Sequence, residues 1–412
     1  MKPRPKKADL HVHSKYSTRP SEWILRKIGC SESYTEPRQL YAIAKARGMD
    51  YVTITDHNTI AGSLDIAHLE DTFVSEEITT YFPDDRCKLH VLAHHITEDR
   101  HEEITRLREN VFDLVAYLNR EGIHHAAAHP LYSVNDRLTV DHVEEMLLLF
   151  NTFELNGSRD EYQNRILLEI LDRLTEEDLD FLEDKHGVPP FGITPWKKRV
   201  IGGSDDHSAL NIARTWTEVE DADSIRGFLA GVERGRARVQ GRESSPKTLA
   251  HNIYSIAYQF YREKLSLDRY VSRELLLRFV DRALTPGSGE EEGLMERLRT
   301  AVAVRMPRFS FSRSAPSTMT GLLQKEAREV ITGNEGMHRF LRQPVRSAGD
   351  AEEAWYRFLV DMSDKILRQF ADSIMGSLSG ANLFHMFHTI GSAGSLYTML
   401  APYFVSYSVF TK

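Results

Sequence analysis

The first 240 residues alternate between short apolar runs and longer segments with helical spacing. The apolar runs are rich in β-branched side chains, as expected of buried strands. They are Ala8–Val12, Tyr51–Thr55, Phe73–Thr79, Leu89–Ala93, Ile123–Ala128, Thr152–Leu155 and Val200–Gly202. Between them, segments such as Pro37–Arg47 and Glu102–Asn119 repeat apolar residues at the intervals of an amphipathic helix. This alternation is typical of parallel strands joined by helical crossovers, so we predict an α/β fold, and the number of strands favours a barrel.

The pattern changes after Gly241. Ser244–Pro246 has the composition of a linker, and no convincing strand pattern follows it. Five segments with helical spacing follow instead. They are Thr248–Phe260, Val271–Ala283, Glu290–Ala303, Gly321–Ile331 and Ala351–Met375. We therefore expect two domains, a β/α barrel at residues 1–242 and an all-helical domain at residues 247–412.

An uncharged segment lies near the end of the chain. Residues 373–411 contain no Asp, Glu, Lys or Arg. Ser, His, Asn and Pro402 interrupt its apolar stretches, so it lacks a continuous run of about eighteen apolar residues. We expect a buried helical pair or an interface, and membrane contact is the less favoured alternative. A second alternative is that the chain is a fragment whose apolar run packs against a missing domain.

The overall composition is that of an ordinary globular protein, with 41% hydrophobic and 27% charged residues among 412. The net charge of −8 offers no general attraction to nucleic acid, so no nucleic-acid partner is expected. Two cysteines cannot build a disulfide framework, and no apolar stretch follows the basic N-terminus as in a secretory signal. These features together predict a cytoplasmic protein.

The 18 histidines are unevenly distributed, and several lie in or next to the predicted strands. His11 and His13 alternate within one run, so their side chains share a face. Glu77 interrupts another apolar run, where an unpaired carboxylate would be costly, and His90 lies within the next. Neutral imidazoles bind zinc, iron or manganese well.

Side chains that can bind metals recur in or directly after six of the strand-like runs. In a parallel barrel the carboxyl ends of all strands meet at one mouth, so these side chains are expected to converge. Histidine, aspartate and glutamate without cysteine favour a catalytic site of two or three metal ions over a structural zinc site.

The ordered motifs resemble one family. His-x-His, Thr-Asp-His-Asn, Glu-Ile-Thr, His-Val-Leu, Ala-His-Pro and Gly-Ser-Asp-x-His follow one another across residues 8–240, as in the PHP (polymerase and histidinol phosphatase) domain. The resemblance implies a distorted seven-stranded β/α barrel. It also implies a metal-dependent phosphoesterase that uses two or three divalent ions, Zn, Mn or Fe, and a phosphorylated small-molecule substrate.

The same resemblance implies which residues hold the ions. The implied ligands are His11, His13, Glu77 and Asp205 for one ion, a bridging Glu77 with His90 and His129 for a second, and His57 and His207 for a third. Family members usually carry an acidic residue five positions after the second histidine of the first motif. This chain has Thr18 there, which weakens the expected third site.

Other residues are candidates for binding the phosphate or protonating the leaving group. His94, His95 or a coordinated water could protonate the leaving group, and the sequence does not choose among them. Arg19, with Lys15 and Arg159, could bind the phosphate, because positively charged side chains pair with its oxygens.

A few neighbouring residues are expected to play lesser roles. Asn156 is expected to line the pocket, and Asp56 to orient a histidine. Glu76 alternates with Glu77 and is expected to be exposed. His124 and His125 are expected to serve packing or surface roles.

Two functions follow from this reading. The first is hydrolysis of a phosphate ester by a hydroxide held between metal ions. The alternative is a PHP-derived binding or regulatory module, with metal sites weakened at Thr18. The arrangement also resembles, more loosely, bacterial proteins in which a PHP region precedes a glycosyltransferase. That resemblance implies a glycosyltransferase domain or a membrane-proximal partner bound through the C-terminal helices.

Overall fold

The computed structural model describes residues 4–19, 26–27, 29–271, 274–285, 319–342, 348–378 and 400–407. The chain divides into two units, Met1–Ser245 and Pro246–Lys412. Strands are confined, within the described residues, to the first unit. They are β1 (Lys6–Asp9), β2 (Tyr51–Val52), β3 (Ser75–Tyr81), β4 (Lys88–His94), β5 (His124–Ala128), β6 (Thr152–Asn156), β7 (Arg199–Gly203), β8 (Thr215–Val219) and β9 (Ala237–Gly241).

Helices lie between most of these strands. They are α1 (Pro37–Ala46), α2 (Ala61–Ile66), α3 (Glu98–Leu107), α4 (Val111–Arg120), α5 (Val140–Leu149), α6 (Glu161–Arg173), α7 (Glu176–His186) and α8 (Ile225–Glu233). The predicted helix at Glu102–Asn119 is broken into α3 and α4, and a second short break separates α6 from α7. Asn110 caps the start of α4, and Thr175 forms a capping box at the start of α7, so polar side chains begin a new helix at each break.

The strands form two mixed sheets. One has the order β2-β1-β8-β9 and the other β3-β4-β5-β6-β7. The expected α/β fold is therefore confirmed, whereas the described residues do not show the expected closed seven-stranded barrel. Isolated parallel bridges, Val12 with Asp206 and His57 with Glu77, nevertheless bring the ends of the two sheets together.

Strand direction also differs from the expectation. β4 runs antiparallel to both β3 and β5, whereas β5, β6 and β7 are parallel. In an antiparallel pair, the start of one strand lies beside the end of its neighbour. His90, near the start of β4, therefore lies beside Ala128 at the end of β5.

β8 was not expected from the sequence. Its side chains alternate between buried and partly exposed, but two of the buried positions are Thr215 and Thr217. Because both are polar, the strand lacks the apolar signal by which half-buried strands are recognised. Thr217 is satisfied by the other sheet: its hydroxyl accepts from the backbone nitrogen of Gly202 in β7 at 2.8 Å and donates to the Gly202 carbonyl at 3.0 Å.

The main core of the first unit lies between the five-stranded sheet and its helices. Phe150 and Phe153 are fully buried there, together with Leu114 and Leu118 of α4. Apolar burial of this kind supplies most of the free energy that holds a sheet and its helices together.

In its described parts, the second unit consists of helices. They are α9 (Pro246–Lys264), α10 (Asp268–Val271), α11 (Leu275–Leu284), α12 (Met319–Gly333), α13 (Glu335–Arg342) and α14 (Ala348–Leu378). Phe279 and Phe358 meet in its core with ring centroids 5.0 Å apart. The predicted helix at Glu290–Ala303 lies outside the described residues.

Part of the uncharged segment is described. Residues 400–407 are helical, and Leu400 and Tyr403 pack against the core of the second unit. Residues 379–399 lie outside the described ranges, so the expected helical pair stays a prediction. Every helix within the described ranges is too short or too polar to cross a bilayer.

Gly203, the last residue of β7, is expected to tolerate no side chain. A Cβ there would lie 2.6 Å from the backbone nitrogen of His11 and 2.9 Å from Glu154 Oε1. Because both neighbours are buried, we expect Gly203→Ala to lower the free energy of unfolding by about 1–3 kcal/mol, measured by chemical denaturation.

Gly333→Ala is the matched control for this substitution, because a Cβ at Gly333 meets no atom within 4 Å. It should leave the unfolding free energy close to that of the unchanged chain. Equal stability of the two variants would contradict the close approach of β7 to residue 11.

Candidate metal centre

Eight of the residues expected to bind metals come together where the two sheets approach each other. His11 and His13 follow β1, Glu77 is the third residue of β3, and His90 is the third residue of β4. Two further members follow the ends of strands, His129 after β5 and Asp205 after β7, and His57 and His207 complete the set. Backbone hydrogen bonds tie the segments together: Asp205 N donates to the His11 carbonyl at 2.6 Å and His13 N to the Asp206 carbonyl at 3.0 Å.

The backbone is strained at two of these positions. His129 has φ of 30° and Asp205 has φ of 49°, both in the left-handed region that side chains with a Cβ rarely adopt. Each such residue costs on the order of 1–2 kcal/mol and persists only where its surroundings enforce it. The strain turns both side chains from their strands toward the cluster.

The first four ligand atoms have the spacing of a coordination shell. His11 Nε2 lies 3.0 Å from His13 Nε2, 3.2 Å from Glu77 Oε2 and 3.5 Å from Asp205 Oδ1. His13 Nε2 lies 3.3 Å from the same glutamate oxygen and 3.4 Å from the same aspartate oxygen. Tetrahedral ligands ~2.0–2.1 Å from a zinc ion would be about 3.3–3.4 Å apart. The residues therefore fit a cation without rearrangement.

A second set of atoms meets at the other oxygen of Glu77. Glu77 Oε1 lies 2.7 Å from His90 Nδ1 and 3.1 Å from His129 Nε2, and these two nitrogens are 3.3 Å apart. One carboxylate thus directs its two oxygens to two different groups of imidazoles. This is the geometry expected of a glutamate that bridges two ions.

His57 and His207 meet a residue that the sequence analysis missed. Glu32 is 4% exposed, and its carboxylate lies 3.3 Å from His57 Nε2 and 3.6 Å from His207 Nε2. No strand or helix pattern surrounds it in the sequence, so nothing local marked it. Glu22, Glu36 and Asp50 also lie between the first and second histidine motifs, so an acidic residue there would not have singled it out.

One buried nitrogen of the cluster, His207 Nε2, has no hydrogen-bond partner among the described residues. Glu77 Oε2 and His57 Nδ1, by contrast, lie 2.9 Å apart. Buried polar atoms are normally satisfied, because leaving one unpaired costs about 1–3 kcal/mol. A cation held in the cluster would satisfy the His207 nitrogen. The donor set therefore fits divalent metal ions.

The carboxylates of the cluster are strongly acidic. Burial would raise the pKa of Glu77, but the surrounding imidazoles, chiefly His57 and His90, hold that pKa well below its usual range. Burial would likewise raise the pKa of Asp205, but His11 and His13 hold it well below normal. Both side chains are thus anionic at neutral pH and ready to bind a cation.

The imidazoles divide into two groups. Burial would lower the pKa of His11, but Glu154, Glu77 and Asp205 outweigh it and raise that pKa well above its usual value. His90 behaves in the opposite way, because burial dominates and lowers its pKa to about 4. A cation that binds His11 would displace its proton, since a metal ligand must be a neutral imidazole.

Glu154, the middle residue of β6, orients two of the ligands. Its Oε1 accepts from His11 Nδ1 at 2.8 Å, and its Oε2 accepts from the backbone nitrogen of His129 at 2.9 Å. Asn156 Nδ2 donates to the same oxygen at 2.9 Å and to Asp205 Oδ2 at 3.1 Å. This carboxylate leaves His11 Nε2 free to face the cluster, as carboxylates beside metal-binding histidines commonly do.

Asp56 orients His13 through a hydroxyl. Its Oδ1 accepts from Ser17 Oγ at 2.8 Å, and Ser17 Oγ lies 3.0 Å from His13 Nδ1. Asp56 also accepts from the backbone nitrogen and the hydroxyl of Ser14 at 2.7 and 2.6 Å. The loop after β1 is therefore fixed around the second histidine.

Arg159 lies next to the cluster. Its guanidinium stacks on the Tyr132 ring, with Cζ 3.6 Å from the ring centroid, and Nη2 lies 3.8 Å from Asp205 Oδ2. Its Nε is buried without a hydrogen-bond partner among the described residues. A cation–π contact of this kind fixes the plane of a guanidinium while leaving donors available for an anion.

The structure does not bring His94 or His95 to this cluster, which corrects their expected role as acids. His94 is four residues beyond His90 in β4, or roughly 13 Å along an extended strand. It is buried against His124, with the two Nδ1 atoms 3.1 Å apart, and its Nε2 donates to the Leu10 carbonyl at 2.9 Å. His95 follows it and is exposed.

Two other expectations are corrected. Arg19 is exposed, and no contact joins it to the described residues of the cluster, while Lys15 pairs with Glu36 at 2.8 Å. Glu76 was expected to be exposed but is 1% exposed, because α4 packs against β3 and a side chain of α3 reaches Glu76. His101 of α3 lies 2.9 Å from the Glu76 carboxylate and compensates its burial.

Comparison with known proteins gives limited similarities. No protein-family model matches this sequence. An uncharacterised protein of Methanocaldococcus jannaschii is 43% identical over 72 residues, which cover 18% of this chain and 40% of that protein. The chain thus matches less than half of the length of that relative.

Three solved structures are similar at low identity. PsfC from Pseudomonas syringae is 14% identical with a TM-score of 0.39, covering 64% of this chain and all of the other. A protein assigned as a metal-dependent phosphoesterase from Bifidobacterium adolescentis is 15% identical with a TM-score of 0.35, covering 56% of this chain and 98% of the other. An amidohydrolase from Chromobacterium violaceum, solved with sulfate and no metal, is 14% identical with a TM-score of 0.31. The match covers 48% of this chain and 87% of the other. These similarities assign no family.

Glu154→Gln should weaken metal binding without removing a ligand. The amide nitrogen would face a donor, either His11 Nδ1 or the backbone of His129, so the orientation of one ligand would be lost. We expect the affinity for Zn²⁺ or Mn²⁺ to fall about 10–100-fold, measured by titration against a competing chelator.

The control is Glu169→Gln on α6, whose carboxylate is largely exposed and lies 4.0 Å from Arg165. That variant should bind metal as the unchanged chain does. If both variants bind metal equally well, Glu154 does not orient the ligands.

Proposed function

We propose that the first unit is a metal-dependent phosphoesterase that hydrolyses a phosphate ester at the metal centre. The observation that supports this most is the placement of Glu77, whose two oxygens each face a separate group of imidazoles at 2.7–3.3 Å. A bridging carboxylate holds two cations close enough to act on one phosphate group.

The ligand set suits hydrolysis. When bound, two or three divalent ions lower the pKa of water toward neutrality and neutralise charge on phosphate oxygens. Neutral histidines among the ligands preserve that acidity, whereas a shell of carboxylates alone would cancel it. Asp205 and Glu77 supply enough negative charge to retain the ions, and both are almost fully buried.

Arg159 is proposed to bind the substrate phosphate. The Nε of its guanidinium makes no hydrogen bond to a described residue, and its Nη2 lies 3.8 Å from Asp205 Oδ2. A guanidinium pairs with two oxygens of a phosphate at once, and this favours a phosphate ester over the uncharged amide that an amidohydrolase cleaves. The substrate class is therefore a phosphorylated small molecule.

His13→Ala should abolish hydrolysis of p-nitrophenyl phosphate. The change removes a ligand atom that contacts both Glu77 and Asp205, so the first cation would be lost. Hydrolysis should be assayed by release of p-nitrophenol after loading with Zn²⁺, Mn²⁺ or Fe²⁺ in turn. A p-nitroanilide amide, assayed in parallel, should not be cleaved.

His68→Ala is the control, because His68 is exposed and remote from the cluster. It should retain full activity. The proposal fails if the unchanged chain, loaded with each metal, cleaves no phosphate ester, or if His13→Ala is as active as the unchanged chain.

Arg159→Ala should reduce kcat/KM for the phosphate ester by about 10–150-fold, the loss expected for one charge-assisted hydrogen bond or ion pair of about 1.5–3 kcal/mol. Metal content should not change, since Arg159 approaches Asp205 Oδ2 and not the Oδ1 atom that faces His11 and His13. Steady-state kinetics and elemental analysis of the same preparation separate the two effects.

Arg165→Ala provides the matched control. Arg165 also stacks on a tyrosine, Tyr162, but lies exposed on α6. Unchanged kinetics in Arg165→Ala and in Arg159→Ala alike would remove Arg159 from the substrate site.

A further inference from the structure

The segment that carries Glu32 is built into the wall of the metal centre. Ser33 N donates to the Ser17 carbonyl at 3.2 Å, and Lys15 N donates to the Thr35 carbonyl at 2.9 Å. These bonds hold the segment against the loop that follows His13. Glu32 is consequently buried, although no regular strand or helix contains it.

Thr18 has a different environment. It is exposed on the same loop, at the position where the family resemblance implies an acidic ligand. A threonine hydroxyl carries no charge and is a weak ligand for a divalent ion. Thr18 therefore offers no acidic ligand to His57 and His207.

Glu32 reaches both histidines at once. Its Oε2 lies 3.3 Å from His57 Nε2 and its Oε1 lies 3.6 Å from His207 Nε2. These separations match those between the atoms around Glu77 and Asp205, where a cation fits. His13, His57 and His207 also offer nitrogens that all lie within 4.8 Å of one another.

A hydrogen bond or ion pair between His57 and Glu32 leaves the second histidine unexplained. His207 Nε2 is buried and has no hydrogen-bond partner among the described residues, and Glu32 Oε1 lies 3.6 Å from it. A cation would bind the His57 and His207 nitrogens and the Glu32 carboxylate together, and it would satisfy His207 Nε2.

We propose that Glu32 is a direct ligand of a third cation, which it holds together with His57 and His207 in place of an acidic residue at position 18. The inference rests on the proposed metal centre and adds to it a ligand from a separate segment of the chain. The third site then depends on how residues 29–36 pack, whereas the first two sites depend on the strands.

The test counts metal ions in the full chain. After removal of all metal and reloading with Zn²⁺ or Mn²⁺, elemental analysis should find about three equivalents in the unchanged chain and about two in Glu32→Gln. The affinity for the third equivalent should fall about a hundredfold or more, measured against a competing chelator. Glu32→Gln preserves volume, and thermal unfolding of the metal-free protein checks that the variant folds.

Two further variants act as controls. Glu36→Gln removes a carboxylate four residues away that is exposed and paired with Lys15, and it should keep three equivalents. Thr18→Asp should also leave the number at three, because Glu32 already occupies the site. Two equivalents in the unchanged chain, or three in Glu32→Gln at unchanged affinity, would overturn the assignment, as would a gain of one equivalent in Thr18→Asp.

These outcomes are separable from those of the proposed function. If Glu32→Gln loses one cation while the unchanged chain cleaves no phosphate ester, the ligand assignment stands and the proposed function fails. If the unchanged chain hydrolyses phosphate esters and Glu32→Gln retains every cation, the function stands and Glu32 is not a ligand.

Discussion

The candidate metal centre depends on a fully buried carboxylate, Glu77, placed among imidazoles from several separate parts of the chain. Removing an anion from water costs several kcal/mol, and only nearby positive charge can offset that cost. The nitrogens that approach Glu77 to within 3.3 Å supply it, as protonated imidazoles or as ligands of shared cations. Its removal would leave the five histidines without a common anionic partner.

Holding the side chains in this arrangement lowers the stability of the fold. His129 and Asp205 adopt left-handed backbone conformations, and Gly203 leaves no space for a side chain beside His11. Glu154 contacts both the His11 ring and the His129 backbone, so one carboxylate links two histidines that approach different oxygens of Glu77. Such strained and preorganised positions are typical of functional sites, where precise ligand geometry matters more than maximal stability.

The eight expected ligands could be found from the sequence because each lies in or beside a strand-like run. Alternation put His11 and His13 on one face, and an isolated Glu77 in an apolar run indicated a buried charge with partners. Other features were hidden. β8 carries threonine on its buried face, and Glu76 looked exposed because alternation places it opposite Glu77. In fact α4 packs against β3, and His101 of α3 pairs with Glu76.

The sequence by itself determined which side chains can bind metal and roughly where strands and helices begin, because these properties depend on neighbours a few residues away. Only the tertiary structure decided the direction of β4, which brings His90 to the site and carries His94 away from it. It also decided the division into two sheets and the approach of Glu32 to His57 and His207. Strand pairing and loop packing join residues far apart in the chain, and no local pattern records those contacts.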